Sequence, residues 1–160
     1  MVALMDVPPF SLSVDLTGID MLVRLLAVLM LIGINAFFVA AEFSIVSVRR
    51  SRINQLAEAG DMAAQTVQRF QKSLDRLLST TQIGITLSSL ALGWIGESTI
   101  AVLVFQGFRA LAIPTAIAEP LAHSLTIPFA FLLIAYLQIV LGELCPKAVA
   151  MLYPEQLARF

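Results

Sequence analysis

The chain has 160 residues, 59% of them hydrophobic and 13% charged, with a formal net charge of −1. A soluble globular chain carries about 25% charged residues, so the composition is that of an integral membrane protein and speaks against a nucleic-acid partner or an acidic substrate. A lone cysteine, Cys145, excludes an internal disulfide and a cysteine-based metal site, and a lone histidine, His123, excludes a His-cluster zinc site.

Residues 1–20 contain Pro8, Pro9 and the acids Asp6, Asp15 and Asp20, and read as an extracytoplasmic lead. They lack the basic n-region of a signal peptide. Residues 21–160 form the membrane domain proper. The first span is expected from Met21 to Val48, uncharged between Leu25 and Ala41. That is long enough to cross a hydrocarbon core, which takes about 20 mostly apolar residues. Arg49, Arg50 and Arg52 follow at once. The excess of positive charge places this end in the cytoplasm and the N-terminus outside.

Residues 52–78 alternate apolar positions such as Ile53, Leu56, Val67, Phe70 and Leu77 with polar ones. This pattern predicts one or two amphipathic helices, broken near Gly60-Asp61, that form a cytoplasmic belt between the first and second spans. A second span is expected from Thr80 to Ile95, and a further apolar run reaches Ile113 across Arg109. Residues 97–120 fit a full span, a re-entrant piece or an outer-surface helix, with the charge rule favouring a single crossing. A third span is expected from Leu121 to Leu144. The fold class is therefore an all-α membrane protein with three transmembrane helices and an amphipathic belt.

Polar groups inside lipid need partners, and those that ionise there are functional candidates. At about 100° per residue, Asn35 and Glu42 share one face of the first span, while Gly33 and Ser44 share a nearly opposite one. Either the pairs serve different sites or the helix bends at Gly33. Close packing through Gly33, Ala40, Ala41 and Ser44 is the structural alternative. In the second span, Gln82, Thr86, Ser89, Gly93 and Gly96 fall on one stripe. The stripe suits a hydrated or ion-lined cavity, or polar contacts that join helices. In the third span, Pro146 lacks an N–H, which frees the carbonyl of Gly142 four residues earlier. Freed carbonyls at helix breaks hold cations in several transporters. Tyr136, Glu143 and Lys147 share a face there, so an ion pair between Glu143 and Lys147 is also open. Carboxylate, hydroxyl, amide and backbone oxygens suit hard cations such as Mg²⁺ or Na⁺.

Three segments carry a family resemblance. Asn35-Ala-Phe-Phe-Val-Ala-Ala-Glu-Phe-Ser44, with Val48-Arg-Arg-Ser-Arg-Ile53, resembles the first membrane helix of the CorC/cyclin M family. Gln82-Ile-Gly-Ile-Thr-Leu-Ser-Ser-Leu-Ala-Leu-Gly93, with Gly96-Glu97, resembles the second, and Gly142-Glu-Leu-Cys-Pro-Lys147 the third. The resemblance covers residues 22–155. It implies Mg²⁺ transport as efflux coupled to Na⁺ entry, by alternating access, from a homodimer formed through the membrane domain. By motif position, the implied metal-site candidates are Ser44, Gly142, Gly33, Glu143 and Ser89. Asn35, Glu42, Gln82, Thr86, Gly93 and Lys147 are candidates for cavity or gating roles, and Pro146 for the helix break. Family members continue into a CBS nucleotide-binding module and a further C-terminal domain. Neither fits in 160 residues, so nucleotide regulation is not assigned to this chain. The expected location is a bacterial inner membrane, with the C-terminus cytoplasmic. An alternative is a cation-sensing and anchoring module that does not transport. No enzymatic activity is expected, because no nucleophile–base pair with suitable neighbours is visible.

Overall fold

The computed structural model describes residues 18–110 and 115–159, the side chains of 104–106, 108–110 and 115–125 excepted. The N-terminal lead through residue 17, and the side chains of Arg109 and His123, lie outside the described residues. Every regular element among the described residues is helical. They are α1 (Gly18–Ser47), α2 (Arg50–Glu58), α3 (Met62–Lys72), α4 (Leu74–Ala110) and α5 (Thr115–Leu137). A π-helical segment (Gln138–Leu144) follows, then α6 (Cys145–Leu152) and α7 (Pro154–Ala158). Three helical stretches are long and apolar enough to cross a membrane: Gly18–Ser47, Leu74–Leu103 and Thr126–Leu152.

The second crossing differs in length from the sequence expectation. α4 runs unbroken for 37 residues, through Gly96, Glu97 and Arg109. Isolated charges and glycines do not end a helix that still bonds its own backbone, whereas in lipid an interruption would leave polar groups unsatisfied. The third crossing also continues beyond Pro146, which sits in the first turn of α6. Pro is tolerated there because the first amides of a helix have no intrahelical acceptor.

Large apolar side chains face outward all along the spans. Leu22, Leu29, Phe37, Leu87, Leu90, Phe131 and Leu132 are exposed, and Trp94 is 86% exposed. Lipid tails are as apolar as leucine, so outward placement is not penalised. Two apolar clusters lie inside. Val28 and Ile32 of α1 meet Leu92, Ile100 and Ala101 of α4 and Ala130 and Ile134 of α5. Toward the other end of α1, Ile45 and Val48 meet Ile53 of α2 and Val67 of α3. Between these clusters, along α1, lies the polar stretch that includes Asn35.

The carbonyls at the C-terminal end of α1 have no intrahelical donors. The buried Gln71 of α3 supplies one: its Nε2 donates to the carbonyls of Ile45 and Val48, both at 3.1 Å. The chain turns between α2 and α3 at Gly60, whose φ of +92° favours glycine.

Asp61 caps α3, accepting from the backbone N–H of Ala64 at 3.0 Å. It also pairs with Arg159 beyond α7. The Ala64 amide, and then the Arg159 guanidinium, hold its carboxyl below the ordinary 3.8. A depressed folded pKa stabilises the fold above the unfolded value and ceases to do so as pH falls through the folded one. We expect Asp61→Ala to melt a few degrees below wild type at neutral pH. The gap should begin to narrow as the pH of the melts falls below 3.8 and go on narrowing through the lower, folded value.

Candidate functional site

The polar cluster is centred on Asn35, which is fully buried in α1. Its amide group joins all three spans. Nδ2 donates to the carbonyl of Gly142 at 3.1 Å. Oδ1 accepts from the Ser88 hydroxyl at 2.8 Å and lies 3.4 Å from the Ser89 hydroxyl. Gln138, at the start of the π-helical segment, donates from Nε2 to the Ser89 oxygen at 3.1 Å. Asn35, Ser88, Ser89, Gln138 and Gly142 thus form one network between α1, α4 and the π-helical segment.

The π-helical segment explains why these groups meet. Pro146 cannot donate to Gly142, so the regular ladder cannot pass through this turn. The chain widens instead, and the Cys145 N–H donates to the carbonyl of Val140, five residues back. Wide turns of this kind inside α-helices recur at functional sites. The Gly142 carbonyl freed by Pro146 accepts the Asn35 amide, and a carbonyl oxygen keeps a second lone pair. Glycine at 142 leaves room for this close approach. A Cβ at Gly142 would stand 3.0 Å from Gln138 Oε1 and 3.1 Å from Asn35 Nδ2.

Gln138 is 9% exposed, and its Oε1 has no hydrogen-bond partner. Buried polar atoms of native proteins are nearly always partnered, so an orphaned one calls for an explanation. Here the orphan is an amide oxygen on the side-chain face of Gly142, the face that the Asn35 amide also approaches. Among the described residues no three His, Cys, Asp or Glu side chains stand close enough to hold a metal. A cation held at this level would therefore meet neutral oxygens, which suit hard ions.

The remaining sequence candidates are placed unevenly. Ser44 is fully buried and donates to the Ala41 carbonyl at 3.0 Å. Glu42 is partly buried and accepts from the hydroxyl of Thr81. Gly33 is exposed, with nothing within 4 Å of an added Cβ, so it is not a point of close helix approach within one chain. Gly33 and Ser44 share a nominal face, yet only Ser44 is covered, because α6 and α7 fold back against α1.

On α4 the buried face is turned from the expected stripe. Gln82 and Thr86 are exposed, Ser89 and Gly93 are partly buried, and only Gly96 of that stripe is buried. The covered polar residues are Thr81, Ser88 and Thr99. Thr86 satisfies its hydroxyl on its own helix, at the Gln82 carbonyl. The rotation is set by Gly84 and Gly96, where the Phe38 and Ile134 side chains lie against the α4 backbone. Thr81, Ser88, Gln138 and Gln71 were missed by the sequence reading. The spacing Thr81, Ser88, Leu92, Thr99 repeats as seven, four and seven, and is the signal that marks this face.

Glu143 is exposed, and no ion pair joins it to Lys147. The Lys147 ammonium instead lies over the Phe43 ring, 4.5 Å from its centre. A cation over a ring is itself favourable.

Residues 25–160 match the family described as the Cyclin M transmembrane N-terminal domain. The chain belongs to this family, the CorC/cyclin M proteins. UPF0053 protein YugS of Bacillus subtilis is 44% identical over 130 residues, covering 81% of this chain and 29% of YugS. An uncharacterized protein of Mycobacterium tuberculosis, Rv1841c, is 40% identical over 139 residues, covering 87% of this chain and 38% of its own length. UPF0053 protein sll0260 of Synechocystis is 34% identical over 149 residues, covering 93% of this chain and 31% of sll0260. The chain therefore spans roughly a third of the length of these curated relatives. Family membership and the three long apolar helices make it a multi-pass membrane protein. The cyclin M-type motifs quoted above contribute directly to the network: Asn35 from the first, Ser88 and Ser89 from the second, Gly142 from the third.

Proposed function

We propose that this domain carries Mg²⁺ across the membrane as an efflux transporter driven by Na⁺ entry, and that it is not an enzyme. The observation that supports this most is the orphaned Gln138 oxygen against the open face of Gly142, within a network of neutral oxygens drawn from all three spans. Mg²⁺ surrenders its water reluctantly, so several oxygens must be offered together as it enters. Neutral ligands then release it again, as conduction requires.

The path proposed includes Glu42 and Ser44, seven and nine residues beyond Asn35 on α1. At about 1.5 Å per residue, Glu42 stands roughly 10 Å along the helix from the network. Its carboxylate attracts cations toward the spans. The C-terminal end of α1, marked by Arg49, Arg50 and Arg52, is the cytoplasmic end by the charge rule. On this reading α2 and α3 form the cytoplasmic belt, and the outward apolar surface of the spans serves both lipid and a second copy in a homodimer. Gly33, Gly93 and Trp94, which face outward or half outward, are available to that interface.

The decisive measurement is Mg²⁺ efflux from proteoliposomes under an imposed Na⁺ gradient. Wild type should discharge Mg²⁺ faster with external Na⁺ than with choline. Gln138→Leu, which keeps the volume and removes the oxygen, should lower the Na⁺-dependent rate at least about fivefold, the lower bound for losing one buried polar partner. Saturable Mg²⁺ binding with no flux at any Na⁺ gradient would overturn transport in favour of a sensing and anchoring module.

A further inference from the structure

Where α1 leaves the apolar stretch, a cleft of about 850 Å³ opens between the end of α1, the start of α2 and the turn from α6 to α7. It is far along α1 from the Asn35 network and has no role in the transport path described above. Arg49, Arg52 and Arg159 line it, with Glu155 as its sole lining carboxylate.

The charges are not balanced. Glu155 is shared: Arg52 reaches it at 3.3 Å and Arg159 at 3.6 Å. Arg159 also pairs with Asp61. Arg49 makes no ion pair among the described residues, although it stands in the same cleft. It holds an extended conformation before α2, with no side-chain cap on that helix. The Arg52 and Ile53 amides donate to the Arg49 carbonyl at 3.1 and 3.2 Å, which leaves the Arg50 and Ser51 amides at the open end of α2, beside the Arg49 guanidinium. An unpaired arginine next to free helix N-terminal amides, in a cleft with excess positive charge, is suited to a phosphate.

The cleft also has an apolar side. Leu152, which lines it, is 71% exposed, and Tyr153 is 56% exposed. Val46 and Met151, nearby on α1 and α6, are exposed too. A soluble anion gains nothing from such a rim. A lipid does, because its phosphate and its acyl chains are joined at the level where the apolar stretch of α1 ends.

We infer that this cleft binds the phosphate of an anionic phospholipid, held between Arg49 and the first amides of α2, with the acyl chains against Leu152 and the outer face of α1. The Arg52–Glu155–Arg159 ion pairs keep the far wall of the cleft in place and leave Arg49 to the lipid. The bound lipid would tie the α6–α7 turn to the start of α2.

Native mass spectrometry of the detergent-purified protein tests this. Phosphatidylglycerol and phosphatidylcholine are titrated separately, with glycerol phosphate as a soluble competitor. Wild type should retain one phosphatidylglycerol about fivefold more strongly than phosphatidylcholine, roughly the contribution of one basic residue at a lipid surface. Arg49→Gln should abolish the preference. It changes an exposed residue with no ion-pair partner, so the fold should persist. Arg76→Gln, an exposed arginine near the start of α4 and outside the cleft, should leave the preference intact. The inference is overturned if Arg49→Gln retains phosphatidylglycerol as wild type does, or if Arg76→Gln loses as much, which would indicate diffuse charge. Displacement of the lipid by equimolar glycerol phosphate would assign the cleft to a soluble phosphate and overturn the lipid claim.

Discussion

Asn35→Leu is expected to abolish transport and to lower stability at the same time. Leucine keeps the volume but neither donates nor accepts. The Gly142 carbonyl and the Ser88 hydroxyl, both at buried positions, would lose their interhelical partner. The Gly142 carbonyl is left orphaned, at a cost of about 1–3 kcal/mol, while the Ser88 hydroxyl keeps the Gly84 and Ile85 carbonyls of its own helix at 2.9 and 3.0 Å. Roughly 1.4 kcal/mol is tenfold in an equilibrium, so Mg²⁺ flux per folded molecule should fall about tenfold or more. Flux must be normalised to the fraction that remains monodisperse after heating, which separates the two effects. Phe37→Leu is the matched control, since the neighbouring Phe37 is 64% exposed and outside the network. Undiminished flux from folded Asn35→Leu protein would remove the network from the ion path.

Gly84→Ala should be the most damaging glycine substitution on α4 within the polar half of the bundle. An ideal Cβ there would stand 2.6–2.7 Å from three ring atoms of Phe38. The ring must rotate as a unit, or α1 and α4 must separate, and overpacking of this kind costs about 1–3 kcal/mol. Gly93→Ala adds the same methyl where nothing of the same chain lies within 4 Å, and should leave the packing of α1 on α4 undisturbed. Phe38→Leu shortens the opposing side chain. In a double-mutant cycle with Gly84→Ala the losses should be strongly less than additive. Additive losses would mean that the two helices do not meet at this point. The same separation of α1 from α4 would displace Asn35 from Ser88, so flux should fall with stability in Gly84→Ala and recover in the double variant.

The cleft beside Arg49 and the Asn35 network occupy different depths of α1, and their variants should not mimic one another. Arg49→Gln is expected to change lipid retention while Gln138→Leu changes Mg²⁺ flux. Asp61→Ala acts on neither directly, although it releases Arg159 from one of its two acidic partners.

The sequence by itself determined the membrane class, the first span to within three residues at its start, and the family. A low charge content and uninterrupted apolar runs depend on composition and length, which need no tertiary contact. It also singled out Gly142 and Pro146, because the loss of a proline N–H is a local event. What only the tertiary structure decided is which side of each helix looks inward. In water, apolar periodicity marks the buried face. In lipid, an outward leucine costs nothing, and the periodicity of α4 loses that meaning. Gln82 and Thr86 looked like lining residues and face out, while Thr81 and Ser88 face in, because Gly84 and Gly96 set where α4 is approached. Gln138 was invisible for a related reason. Its role depends on the wide turn that brings it back over Gly142, and on the Asn35 amide arriving from a helix 107 residues away in the chain. The break at Pro146 was legible; the partner that occupies the freed carbonyl required three helices to be packed.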